Sequence, residues 1–240
     1  MKNNRSVILF LFVMFALVDT NAQGLFKYFK WTAYSDGPEK MDHVVIDLNH
    51  DRFQALPIGI TQSYFSLGVD AYMFHDHPMN KKGTLAWALG VGYSGMNVHH
   101  NGQFIYQVEG ENVTTHLLPY PDGLNVKKNK ISLNYVEIPF ELRIRTMNHS
   151  IEERNVANFR FYLGFKGGVL VNSHTKYRDE ESKVKVYDID NLLLYRYGPT
   201  LRIGFKKLSF HAFYSMTSIF EEGKGPELYP FSVGLCWMRL

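Results

Sequence analysis

Basic residues recur inside alternating apolar runs of this chain, and they fall on the same side as glycine. In 135–144, Val136, Ile138, Phe140, Leu142 and Ile144 alternate with Tyr135, Glu137, Pro139, Glu141 and Arg143. In 159–166, Phe159, Phe161, Leu163 and Phe165 alternate with Arg160, Tyr162, Gly164 and Lys166. In 195–203, Tyr195, Tyr197, Leu201 and Ile203 alternate with Arg196, Gly198, Thr200 and Arg202. A period of two is the signature of a β-strand with unlike faces. A soluble sheet would wet the charged face and bury the aromatic one, whereas a membrane barrel reverses this. Glycine weakens a solvent-facing strand without return but suits the cramped interior of a narrow barrel. An arginine or lysine on the lipid face near the midplane costs roughly 2–4 kcal/mol. Misplacing Arg143, Lys166, Arg196 and Arg202 together would cost on the order of 10 kcal/mol, comparable to the stability of a domain. The charges therefore point inward, toward Asp47, Asp70, Glu137 and Glu141, and the aromatic faces meet lipid.

Five further runs follow the same rule: 43–53, 64–73, 85–94, 208–220 and 229–237. Eight strands result, and the expected fold is an all-β, eight-stranded antiparallel transmembrane barrel with a filled polar lumen over 43–240. The connections fall at 53–61, 76–83, 99–130, 146–157, 174–191, 206–207 and 221–228. Bacterial barrels place short turns in the periplasm and longer loops outside. With both ends of the chain periplasmic, 99–130 and 174–191 are outer loops and Lys206-Lys207 is a periplasmic turn.

The first residues belong to a different category. Lys2 and Arg5 precede an apolar run from Val7 to Val18 and the small residues before Ala22. This is the pattern of a signal peptide at 1–22, too short to span a bilayer. A periplasmic segment, 23–42, follows, with Leu25, Phe26, Tyr28, Phe29 and Trp31 crowded beside Lys27 and Lys30. It reads either as an interfacial anchor or plug or as a handle for a partner. The single cysteine, Cys236, allows no internal disulfide, and no cysteine follows the apolar run to carry a lipid. The formal charge of +3 has no basic block behind it, which argues against nucleic acid.

Candidate sites are few. His75 and His77 sit two apart, but a two-ligand signal beside Pro78 reads as a polar, solvated turn rather than a metal site. His99 and His100 would point to opposite sides of a strand. His211, with Ser209 or Ser215 and a lumen carboxylate, suggests a hydrolase on paper. Side chains sealed in a filled lumen meet no acyl chain, however, and no nucleophile elbow, zinc-binding helix or phosphate loop is present. No catalytic, cofactor or metal residue is assigned. Asp70, Glu137, Glu141, Arg143, Arg160, Lys166, Arg196 and Arg202 are read as a structural charge network, since eight strands leave little room beyond their side chains. Such pairs fix strand register more than they add stability.

The stretches "ISLNYVEIPFELRIRT" (131–146), "FRFYLGFKGGVLVNSHTKYR" (159–178) and "RYGPTLRIGFKKLSFHAFYSMTSIF" (196–220) resemble PorT-family outer-membrane β-barrel proteins of the Bacteroidota. So does the earlier region 42–98, and the resemblance covers about 42–240. Barrel strands often finish on an aromatic residue, and this sequence departs from that with "CWMRL", Trp237 being set in from Leu240. The resemblance implies an outer-membrane location and a non-enzymatic accessory role in type IX secretion, which exports and surface-attaches proteins. It implies no cofactor. The expected partners are outer-membrane lipid and proteins of the outer membrane or periplasm, met through 99–130, 174–191 or 24–42. A lipid-modifying outer-membrane enzyme, a small pore and a soluble lipocalin-like barrel are the competing expectations.

Overall fold

The computed structural model describes residues 44–239 apart from 111, 122–123, 125, 148–156, 188 and 206–207. The expected signal peptide, the segment 23–42 and the Lys206-Lys207 turn lie outside the described residues. Eleven strands are present among the described residues: β1 (Val44–Gln54), β2 (Leu67–Pro78), β3 (Leu85–His99), β4 (Gly102–Glu109), β5 (Asn112–Pro119), β6 (Lys128–Met147), β7 (Ala157–Arg178), β8 (Lys183–Tyr187), β9 (Tyr195–Phe205), β10 (Leu208–Tyr214) and β11 (Tyr229–Arg239). Eight of them run in the order β6-β3-β2-β1-β11-β10-β9-β7, and pairing of β6 with β7 closes the ring. All the pairings are antiparallel, and Val44 stands opposite Arg239. The first and last strands thus begin and end on the same side of the barrel, where the β2–β3 turn lies and where β6 and β9 end and β7 and β10 begin.

The faces sort as the charges require. Leu48, Ile138, Leu163 and Leu235 are more than half exposed, while Arg143 and Arg202 are 0% and 2% exposed. Outward apolar side chains cover 136–144 of β6, matching the 9–11 residues that a tilted membrane strand needs. Tyr93, Tyr195, Tyr197 and Tyr214 mark one edge of this band. Trp87, Phe205 and Trp237 lie toward the other, with the ring of His77 stacked on Trp87 at 4.1 Å. Such aromatic girdles sit at the two interfaces of an outer-membrane barrel.

The β2–β3 turn is held by Asn80, whose carbonyl oxygen accepts from Gly83 N at 3.0 Å and whose side chain accepts from Thr84 N at 2.9 Å. Gly83 there has φ of +65°, a conformation that costs other residues. The opposite side carries the longer connections, as in bacterial barrels whose outer loops are longer. β4 and β5 form a separate hairpin between β3 and β6, and β8 extends the sheet beside the projecting end of β7. The expected loops 99–130 and 174–191 are therefore largely strand. In the other direction, the run expected as a strand to 220 leaves the sheet after Tyr214.

Candidate functional site

The barrel interior has two parts, a charged one within the apolar band and an apolar one at the outer end above it. The interior is built by strand parity, which sends Asp47, Asn49 and Asp51 of β1 to the same side as Asp70, Tyr72 and Asp76 of β2. Among the described residues six carboxylates are buried there (Asp47, Asp51, Asp70, Asp76, Glu137, Glu141) together with six cations (Arg143, Arg145, Arg160, Lys166, Arg196, Arg202). Equal numbers matter, because a buried charge without a partner is far costlier than a paired one.

The pairs form layers along the axis. Nearest the short turns, Asp76 takes Arg143 at 2.9 Å and Arg145 at 2.7 Å, and Arg145 Nε also donates to the Gly83 carbonyl at 2.7 Å. Next, Glu141 receives Arg143 and Arg202, each at 2.8 Å. Arg202 then reaches across the interior to Asp47 on β1, with Nη2 2.8 Å from Oδ2. Higher still, Glu137 accepts from Arg196 Nε at 2.8 Å, Lys166 at 2.9 Å and Tyr72 Oη at 2.5 Å. Asp70 accepts from Ser94 Oγ at 2.5 Å and from Asn49 Nδ2 at 2.9 Å. Asp51 accepts from Ser232 Oγ at 2.7 Å and the Asn97 amide at 3.1 Å. Rings close the gaps: the Arg196 guanidinium lies 3.8 Å from the Tyr135 centroid, and Arg143 lies 4.5 Å from that of Phe74. Cations over aromatic faces gain most where water is absent.

All eight residues assigned to the network from the sequence are brought together in this interior. Three others were missed. Asp76 was placed in a solvated turn with His75 and His77, but β2 runs through Pro78 and alternation turns Asp76 inward and both histidines outward. Their rings sit 4.3 Å apart at the barrel wall. Arg145 fell beyond the alternation that ends at Ile144, although β6 continues to Met147. Asp51 shares the parity of Asp47, which was the available signal. His211 is buried beside Asn49, its Nδ1 3.3 Å from Asn49 Oδ1, and among the described residues Ser209 Oγ has no hydrogen-bond partner. Serine and histidine are therefore not coupled as nucleophile and base, a relation that catalysis of that kind needs. Among the described residues, no group of three or more metal-ligating side chains occurs.

Above the band the interior changes character. Inward positions that carry charge lower down become Phe53 on β1, Met96 and Val98 on β3, and Ile131, Leu133 and Tyr135 on β6. Leu117 of β5 and Ile189, Leu192, Ile219, Phe220 and Leu228 of the outer connections pack onto them. A filled polar lumen was expected; the part within the apolar band is filled and polar, and above it the barrel holds an apolar core. The reason is that strands projecting past the bilayer have water outside them, so they bury apolar side chains as a soluble barrel does. Backbone bonds tie the covering segments together: Thr115 N to Lys224 O at 2.8 Å, Leu193 N to Ile219 O at 2.8 Å, and Asn101 N to Thr61 O at 3.2 Å. The Asn191 side chain adds a bond to Val113 O at 2.8 Å. His100 is buried in this cap with its Nδ1 accepting from Gly102 N at 3.2 Å, and burial holds its pKa down at about 4. His99, one residue earlier, faces outward.

Residues 46–221 match a family model described as an outer membrane protein beta-barrel domain. No curated protein matches the chain.

Proposed function

Because the chain belongs to the outer membrane protein beta-barrel domain family, we propose that it works as a non-enzymatic accessory to protein export at the outer membrane, in the manner of the PorT proteins it resembles. The observation that carries this reading is the filled interior. Ion pairs occupy the part within the apolar band, and a stitched apolar core caps it, so the side chains that line the barrel scarcely touch solvent. Chemistry and transport through the lumen both need access. A barrel filled in this way acts through its outer surfaces, and the structured ends of β4, β5, β7 and β8 supply rigid ones. A partner in the export machinery would dock on that projecting crown or on the segment 24–42.

The test is deletion of the gene in its native bacterium. Surface display of exported cargo should be lost, and lipid A mass spectra should be unchanged. Normal display would refute the export role while leaving the barrel intact, and altered lipid A would favour an enzyme instead.

A further inference from the structure

The outward face of the projecting strands carries a block of cations that the sequence order hides. β6, β7 and β8 pair so that Lys128 lies opposite Arg178 and Arg178 opposite Lys183. In the rung below, Lys130 lies opposite Lys176 and Lys176 opposite Lys185. His99 of β3 faces Lys130, extending that rung to a fourth strand. Six cations thus form two complete rows on three adjacent strands. Among the described residues none of the six is within ion-pair distance of a carboxylate. The nearby acids are occupied at the tip: Glu180 meets Lys127 at 3.5 Å, and Asp179 binds the Glu181 and Ser182 amides at the β7–β8 turn.

Like charges directly opposed across a β-ladder destabilise it. Four such oppositions stand here; burial and then the neighbouring lysines lower the pKa of Lys130, and Lys183 leads the causes that lower that of Lys176. An anion with several charges lying flat on the wall would relieve these oppositions. Its height says where that anion comes from. Below the lysines, the outward side chains of β6 are Ser132 and Asn134, then Val136 at the edge of the apolar band. From that edge Lys130 is about 15 Å up at a strand rise of about 3.3 Å per residue and a barrel tilt of about 40°. Lysine stems bend back toward a membrane surface, bringing the ammonium groups to the headgroup layer. Asn134 and Asn172, on the same face just beneath, carry amide groups suited to sugars or phosphate oxygens.

We propose that the outer face of β6, β7 and β8 binds the phosphorylated saccharide headgroup of an outer-leaflet glycolipid, with Lys130, Lys176 and Lys185 as its central contacts. The site does not rest on the export role; it needs only the barrel in its membrane with the long connections outside.

The experiment uses the full chain folded in detergent and rough-type lipopolysaccharide as probe, before and after removal of its phosphates. Wild type should bind the phosphorylated form, and binding should weaken with ionic strength. Lys130→Gln/Lys176→Gln/Lys185→Gln should bind about a hundredfold more weakly, at the worth of a surface cation near anionic lipid. Lys130→Arg/Lys176→Arg/Lys185→Arg should bind as wild type, which separates lost charge from lost fold. Equal binding by the glutamine variant, or equal binding of dephosphorylated lipid, would overturn the proposal. Complete displacement by inorganic phosphate alone would overturn the assignment to a membrane lipid.

Discussion

Glu137 shows how a single carboxylate can hold a barrel interior together. It joins β6 to Arg196 on β9, Lys166 on β7 and Tyr72 on β2, and no solvent reaches it. Removing one member of a buried ionic cluster leaves its partners uncompensated, at about 3–5 kcal/mol. Glu137→Gln should therefore lower unfolding stability by about that amount, read as a fall in the guanidinium midpoint of the detergent-folded protein. An unchanged midpoint would mean that Arg196 and Lys166 find other acceptors. At this scale the sequence was informative wherever a charge stood within an alternating run, as with Glu137 and Glu141. It was uninformative at run ends. Asp76 lies between two histidines and just before a proline, a composition that imitates a turn, and it is the pairing with β3, from Asp76 with Ala88 to Pro78 with Ala86, that shows β2 continues.

Among the elements, β7 departs furthest from what alternation suggests. Its outward residues are odd-numbered through Val169, but the register shifts opposite Asn134/Tyr135, and beyond it Asn172 and Lys176 face outward instead. A β-bulge reverses the phase of every later residue. A scan for alternation therefore loses the strand's phase after Val169, and the basic rows of β6, β7 and β8 stay invisible as a group. The strand after Lys207 errs oppositely: its pattern continues past Tyr214 although the chain has turned in to place Phe220 in the cap. The segment after β3 carries its own prediction. His100 accepts from Gly102 N through Nδ1, and its pKa of about 4 lies below the ordinary value near 6.5. Its folded value is depressed, so the unfolded cap binds the proton more readily. The contribution to stability is full above pH 6.5 and is lost as pH falls toward 4. Limited proteolysis of the outer connections should accelerate across that window, and His100→Gln should flatten the response. A pH-independent cleavage rate in the wild type would count against a buried neutral imidazole.

For the whole molecule, the interior is divided by the membrane's own geometry. The charged portion lies where lipid surrounds the wall, and the apolar portion lies where water does. Parity along β6 displays the change on one face, from Ile131, Leu133 and Tyr135 to Glu137, Glu141 and Arg143. The closed ring and its inverted faces were legible from that parity because a misplaced charge is so costly in lipid. The apolar cap was not, because it is assembled from connections far apart in sequence whose meeting no local pattern encodes. A barrel filled at both levels should show no discrete conductance steps in planar bilayers. Steady single-channel openings by the wild type would show that the interior rearranges to admit water.

The spoke from Arg202 to Asp47 and Glu141 sets a condition on biogenesis. Its two acceptors sit on β1 and β6, and Asp47 is 155 residues away along the chain. Until the seam between β1 and β11 is zipped, that guanidinium has only part of its coordination and must stay hydrated. Insertion ahead of closure would drag a wet cation into hydrocarbon, so the sheet has to curl and seal while it enters the bilayer, as one concerted event.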